Sequence, residues 1–460
     1  MQADPVPSPI VAALEPVRVA LQEWAQTHRG ASLVEHEQGV QTLWRRLAGP
    51  LLAAVVTEAL GLEQPSQERV RAVCPRCGRR RKRHSWRPRE VLSVWGPLRL
   101  CRPYYYCRSC RVGWCPADRQ VALAPSQELS EGLQGWLTLL GTLLPFRAAA
   151  QVLEELSGIG VGKETVRTCT EAAGQRLVDA ATAAAQQVEA GQEAAEPPER
   201  ADGELVVETD GVMIRYLDDW HEVRLALVAG CRVGPEPELL AASYVARRCS
   251  AAAFGPHLIA EAARRGALEI VGWEQPPDTD ARVRLGPALA RLRPVIVLGD
   301  GARWIWSVAA EHFGQRVEIV DWYHATEHLW DVAKAMWGMG TVETAAWVTR
   351  AKALLWEQGA PALLAELHAL RAPTAQAAQD LTRERGYFTT NAARMAYPAF
   401  RAQGLPVGSG AVESAAKHVV QQRLKRAGMR WSEAGGQALL ALCARSASRR
   451  PLRPVVPAAA

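Results

Sequence analysis

The sequence predicts a mixed α/β protein: a strand-rich region set among helices and preceded by a cysteine-rich module. Three observations predict it. Apolar residues recur at spacings of three and four over 1–70 and again over 126–190, the period changes to two from Leu205 onward, and six of the ten cysteines fall between 74 and 115. At 460 residues the chain has room for about three domains that each bury a core. Its 48% hydrophobic and 22% charged residues are globular proportions. No apolar run reaches the ~18 residues of a membrane span. The start, "MQADPVPSPIVAAL", has neither the basic region nor the cleavage pattern of a signal peptide, so a cytoplasmic protein is expected.

In chain order, 1–70 is helical, with "VAALEPVRVALQEWAQ" and "QTLWRRLAGPLLAAVVTEAL" as its two patterned runs. Residues 71–116 turn abruptly to Arg, Cys and Pro. Helical patterning returns over 117–190, and 191–203, "GQEAAEPPERADG", has linker composition. "ELVVETDGVMIRY" and "WHEVRLALVAGCRV" read as strands joined by a hairpin turn at Asp218–Asp219, and "ELLAASYVAR" as a third. "AAAFGPHLIAEAARRG" is a helix, "PVIVLGD" a short buried strand, "WIWSVAAEHFG" a helix and "RVEIVDWYH" a strand. Three strands, helix, strand, helix, strand over 204–324 is the order of a ribonuclease-H-like domain, a mixed sheet flanked by helices, although order alone does not establish it. Residues 325–400 are again helical, and 446–460 is a tail.

The cysteines divide into two groups. Cys169, Cys231, Cys249 and Cys443 stand alone and read as small buried hydrophobes. "CPRCG" and "CRSC" instead pair Cys74 with Cys77 and Cys107 with Cys110, two knuckles about thirty residues apart. Each supplies two thiolates from one tight turn, and four thiolates fill the tetrahedron of a structural Zn²⁺ with no position left for water. Cys101 and Cys115 lie close enough to replace a member of the quartet. The intervening "REVLSVWGPLRLCRPYYYC" alternates as hairpin strands do.

The net charge of +6 is unevenly spread. "GRRRKRHSWRPR" at 78–89 and the residues after Lys417 form two basic patches, which suit a polyanion such as nucleic acid; a solvated face is the plain alternative for either. Arg80, Arg81, Lys82 and Arg83 are the candidate contacts in the first, and Lys417, Arg423, Lys425, Arg426 and Arg430 in the second. Between them, "PFRAAAQVLEELSGIGVGKETVRTCTEAAGQRL" at 145–177 has the form of a helix-turn-helix. Its second helix would present Lys163, Arg167 and Thr168 to DNA, although a plain helical hairpin has the same pattern.

Three carboxylates complete the reading. Asp210 in "VVETDGVMI" and Asp300 in "VIVLGDGARW" lie on or at the ends of strands, which converge on one edge of a mixed sheet. Glu413, in "GSGAVESAAKHVVQQRLKR", opens a helix and is the third candidate. Shared carboxylates are what two Mg²⁺ (or Mn²⁺) ions need for phosphodiester chemistry. Each residue also has a plain role. Aspartate before glycine is a common turn, and Glu413 complements a helix dipole and pairs with Lys417 at i,i+4.

The blocks "ETDGVMI", "GDGARWIW", "VDWYHATEHLW" and "GSGAVESAAKHVVQQRLKR", with the cysteine knuckles upstream, resemble the DDE transposases of bacterial insertion sequences. The ISKra family is nearest, and the ISLre-type relatives come next. The resemblance covers about 70–445. It implies a ribonuclease-H-like fold over 204–324 and 401–445, interrupted by a helical insertion at 325–400, in which Asp210, Asp300 and Glu413 hold two Mg²⁺ or Mn²⁺ ions. It also implies cleavage and strand transfer on double-stranded DNA, a homo-oligomer on paired transposon ends, and a bacterial cytoplasmic location at the nucleoid. "DWYH" looks like the Asp/Cys-x-x-His signature of mutator-like transposases, which puts His324 near the scissile phosphate, with Asp321 beside it and His328 as an alternative. Trp304, Trp306, Trp322 and Trp330 read as core, and Trp86 and Trp431 as stacking candidates. The competing readings are a nuclease that cuts without joining, and a zinc-dependent DNA-binding regulator whose acids are structural.

Overall fold

A computed structural model describes residues 8–62, 71–191, 198–270, 290–292 and 294–452. Residues 192–197 of the expected linker and most of the tail (453–460) lie outside them. The chain divides into two compact units, Met1–Thr170 and Glu171–Ala460, and its sheets and helices make it mixed α/β. Among the described residues no helix is long and apolar enough to cross a membrane.

The first unit opens with α1 (Pro9–Thr27) and α2 (Leu33–Ala59). Ser32 and Glu35 close a reciprocal capping box on α2 that satisfies two amides left over at the helix start. A four-stranded antiparallel sheet follows in the order β1 (Arg71–Val73), β2 (Arg80–Ser93), β3 (Gly96–Cys107), β4 (Val112–Trp114). The expected hairpin is β2–β3, and β2 reaches back to Arg80, so the basic run is itself strand. Then come α3 (Pro116–Gln120), α4 (Glu131–Leu143), α5 (Phe146–Ser157) and α6 (Lys163–Glu189), which runs on into the second unit. Gly158 ends α5 in the left-handed conformation, at φ 73°, where a side chain would be strained. Leu133, Leu137, Ala149, Leu153 and Val166 pack into the core beneath this turn. Each buried leucine there contributes about 1.5–3 kcal/mol.

The second unit is built on a five-stranded sheet in the order β11-β10-β5-β6-β7. β5 (Glu204–Arg215), β6 (Trp220–Arg232) and β7 (Glu238–Arg247) form an antiparallel meander. After α7 (Ala251–Arg264) and the paired strands β8 (Leu268–Ile270) and β9 (Ala290–Leu292), β10 (Val295–Gly299) joins β5 in parallel. β11 (Arg316–Val320), reached through α8 (Arg303–His312), joins β10 in parallel. Central strands buried on both faces read as continuous apolar runs, as "VIVLG" of β10 does. The expected last strand, "RVEIVDWYH", stops at Val320. Asp321 caps a helix there, its carboxylate accepting from the His324 amide at 2.8 Å.

That helix is α9 (Trp322–Trp337), followed by α10 (Val342–Gln358), α11 (Ala360–Ala369), α12 (Ala375–Asn391) and α13 (Tyr397–Ala402). Next come α14 (Gly410–Ala415), a π-helical turn over Ala416–Gln421, α15 (Gln422–Leu424) and α16 (Glu433–Ala447). The segment after the undescribed linker residues is pinned down. The Glu199 amide donates to Arg264, and the Glu199 carboxylate pairs with Arg450, from the start of the expected tail, and with Arg264. Trp306 is buried, and Trp304 and Trp322 pack against the core. Trp330 is exposed, which corrects its reading as core.

Candidate functional site

Strand register brings the first acids together. Thr209 on β5, Gly299 on β10 and Val320 on β11 stand level across three adjacent parallel strands. The next residue on each chain is an aspartate: Asp210, Asp300 and Asp321. Adjacent strands lie about 4.8 Å apart, so the three acids form a row at the carboxyl ends of the parallel strands, where open α/β sheets take their ligands. β5 does not end there. Asp210 sits within it, paired with Leu225 of β6, because the antiparallel hairpin continues past the parallel contact.

Each aspartate is held differently. Asp210 accepts from the Gly211 amide at 2.7 Å and Asp300 from the Ala302 amide at 2.7 Å, the latter turning the chain into α8. Burial raises the Asp210 carboxyl above its ordinary range; the Gly211 amide and the nearby His324 oppose this, and the charges of Asp300 and Glu413 add to it. Asp321 is fully buried. Its Oδ1 accepts from the Ser409 amide at 2.6 Å, and its Oδ2 lies 3.0 Å from His324 Nδ1. Burial would raise Asp321, but the His324 side chain and the Ser409 and His324 amides outweigh it and hold it low. The hydrogen bond to Asp321 pushes His324 up to about 9, against desolvation.

Glu413 comes from α14, in its first turn as expected. Asp321, His324 and Glu413 bring one ligand atom each within 4.8 Å of one another, so this group can hold a metal ion. Asp210 and Asp300 adjoin that set without being part of it. Within it, Asp321 already receives the Ser409 amide on Oδ1 and the His324 amide and ring on Oδ2. Asp300 and Glu413 lie near enough for their charges to add to the rise that burial causes in Asp210.

Sequence reasoning missed Glu208. It stands two residues before Asp210, hence on the same face of β5, and it is completely buried. Its Oε2 accepts from the Val412 amide at 2.8 Å, tying β5 to the start of the Glu413 helix, while Oε1 is buried without a hydrogen bond. Desolvation pushes it up to about 8; the Val412 amide opposes this, and Asp321 and Glu413 add to it. The available signal was a charged residue inside the apolar run "LVVETDG".

In the first unit, Cys74, Cys77, Cys107 and Cys110 converge and can hold a metal ion; Cys101 and Cys115 are outside the group. The Cys77 and Cys107 sulfurs are 3.8 Å apart. A tetrahedron with Zn–S bonds of about 2.3 Å has edges of about 3.8 Å, so four soft donors at this spacing fit zinc. Burial would raise the Cys107 thiol, but the Cys110 amide and Arg81 outweigh it and bring it down to about 6. Cys110, hydrogen-bonded with Cys77, is pushed up to about 12.

The basic candidates separate by exposure. Arg80 and Lys82 project from one face of β2, whereas Arg81 turns toward the thiols and bonds Ser109 Oγ at 3.1 Å. Arg83 lies over Trp86, 5.0 Å from its ring center. Lys163 and Arg167 are exposed at the start of α6, both beside Glu164. Lys417, Lys425, Arg426 and Arg430 are exposed. Arg423 is not: it is 3% exposed, lies over the Trp431 ring at 5.1 Å, and is brought down to about 10 by burial. This corrects its expected role at a phosphate. Trp431 is likewise buried, its indole donating to the Leu424 carbonyl, so it is core rather than a stacking surface.

No protein-family model matches the chain, and no curated protein matches it significantly.

Proposed function

We propose that the chain is a DDE-type transposase of an insertion sequence, whose ribonuclease-H-like domain cuts and joins double-stranded DNA. The observation that carries this reading is the level row of Thr209, Gly299 and Val320 with an aspartate after each, faced by Glu413 and His324. Asp210, Asp300 and Glu413 would hold two Mg²⁺ or Mn²⁺ ions. Such a pair supplies Lewis-acid activation of the attacking oxygen and stabilises the leaving one. Asp321 fixes the His324 ring through Nδ1, which leaves Nε2 for the scissile phosphate. Water attacks phosphorus and the 3′ oxygen departs as a hydroxyl; that hydroxyl then attacks a target phosphodiester and displaces its 3′ oxygen. Lys417, Lys425, Arg426 and Arg430 would grip the backbone, which gives affinity without sequence information. The cysteine quartet would hold structural Zn²⁺ under the basic strand β2.

Strand transfer by the purified full chain tests this, using pre-cut duplexes of the element's own ends with Mg²⁺ or Mn²⁺. The expected product is end DNA joined to target, lost on Asp210→Ala, Asp300→Ala or Glu413→Ala. Cutting without joining would identify a nuclease. DNA binding untouched by all three substitutions, with neither cutting nor joining, would identify a regulator.

A further inference from the structure

Helix α9 carries two histidines four residues apart, His324 and His328, and both are mounted in the same way. His324 Nδ1 lies 3.0 Å from Asp321 and His328 Nδ1 lies 2.6 Å from Glu384. Both acids are buried, at 0% and 2% exposure, while the imidazoles keep 29% and 31% of their side-chain surface open. Residues at i and i+4 share a helix face. The His328 ring is stacked on Tyr387 at 3.6 Å with Phe388 edge-on, and the other oxygen of Glu384 takes the Arg383 guanidinium at 2.9 Å. A buried carboxylate is costly, and this one is used to fix a ring that packing already holds. Neither Nε2 has a protein partner among the described residues.

Tyr387 ties this second dyad to the acids. Its hydroxyl donates to the Asp300 carbonyl at 3.0 Å, and its ring lies against Gly301, which sits at φ +99° and has no room for a Cβ, since one would meet that ring at 2.7 Å. The helical insertion thus braces the Asp300 turn and mounts His328 one helical turn from His324.

We propose that His328 is a second substrate-contacting imidazole, whose Nε2 binds a DNA phosphodiester neighbouring the one cut beside His324. The inference rests on the transposase reading of that site. As imidazolium, the ring donates Nδ1–H to Glu384 and Nε2–H to a non-bridging phosphate oxygen, a charge-assisted contact.

Two substitutions separate this role from a structural one. In His328→Asn the amide nitrogen stands where Nδ1 was and can still bond Glu384, but Nε2 is gone. His328→Gln reaches the Nε2 position and gives up the Glu384 bond. Single-turnover cleavage by the full chain is measured with Mn²⁺ on duplexes of the element's own end. These carry one uncharged methylphosphonate at each linkage flanking the cut in turn. The expected result is about 10–100-fold slower cleavage for His328→Asn, with partial recovery in His328→Gln. One linkage should slow the wild-type protein when neutralised and make no further difference to His328→Asn. Asn at wild-type rate, or Asn as sensitive as wild type at every linkage, would overturn the proposal. Wild-type protein that cuts none of the duplexes would instead overturn the proposed function, and this inference with it.

Discussion

The two regions of this chain that can hold a metal ion are assembled in opposite ways. In the first unit each pair of thiols comes from one tight turn, so four ligands need only two local knuckles and the β2–β3 hairpin between them. In the second unit the proposed ligands Asp210, Asp300 and Glu413 come from a strand interior, a strand end and a helix start far apart in sequence. They meet only because β10 pairs with β5 in one register and Glu208 ties the Glu413 helix to β5. A local site survives distant damage and fails with its metal. A site made by register depends on residues that touch neither metal nor substrate.

The largest effect is expected from zinc. Removing it with a chelator, or by Cys107→Ser, should take bound zinc from one per chain to none and unfold β1–β4. Structural zinc contributes apparent binding energies of about 10–16 kcal/mol. Mn²⁺ binding by the second unit, followed by calorimetry, should be unchanged; parallel loss of both would break the contrast.

Asp300→Asn should reverse the pattern. DNA cleavage falls on the order of 10³-fold, about 4 kcal/mol of barrier, while zinc content and circular dichroism stay as in the wild type. Next, Glu208→Leu should weaken Mn²⁺ binding about 10–100-fold without removing any ligand, as loss of a ligand's support typically does. Glu208→Gln, which keeps an oxygen for the Val412 amide, should bind nearly as the wild type does.

The same residue gives a pH test in metal-free protein. Folding raises the Glu208 carboxyl from its ordinary 4.5 to about 8, so the folded state binds this proton more tightly than the unfolded one. Stability therefore falls as pH rises from about 4.5 to 8, and Glu208→Gln should escape that fall, by roughly 1–3 kcal/mol. Thermal melts at pH 5 and pH 9 read the difference. The smallest effects come from the basic patch. Arg423→Ala should cost about 1–3 kcal/mol of stability because the guanidinium is buried over Trp431. Lys425→Ala should leave the melting temperature alone and lower the salt slope of DNA binding by about one.

What could be read from the sequence follows the same division. The cysteine quartet, the hairpin at Asp218–Asp219 and the strand end before Asp300 are local patterns, and the structure has each of them, whereas the strand expected to run on through Asp321 stops at Val320. Glu208 offered only the signal of a charge within an apolar run; its partner at residue 412 was illegible, since no window around 208 contains it. Arg423 was misread for a related reason: within a run of basic residues, only the fold decides which one turns inward. The row of three aspartates needed register, and a one-residue slip of β10 against β5 would have separated Asp300 from Asp210.

The most direct measurement of the central claim is anomalous scattering from crystals of the full chain soaked in Mn²⁺. The expected peak lies about 2.0–2.3 Å from carboxylate oxygens of Asp210 and Asp300, with Glu413 completing the set. Manganese bound only between Asp321, His324 and Glu413, with Asp210 and Asp300 bare, would contradict it.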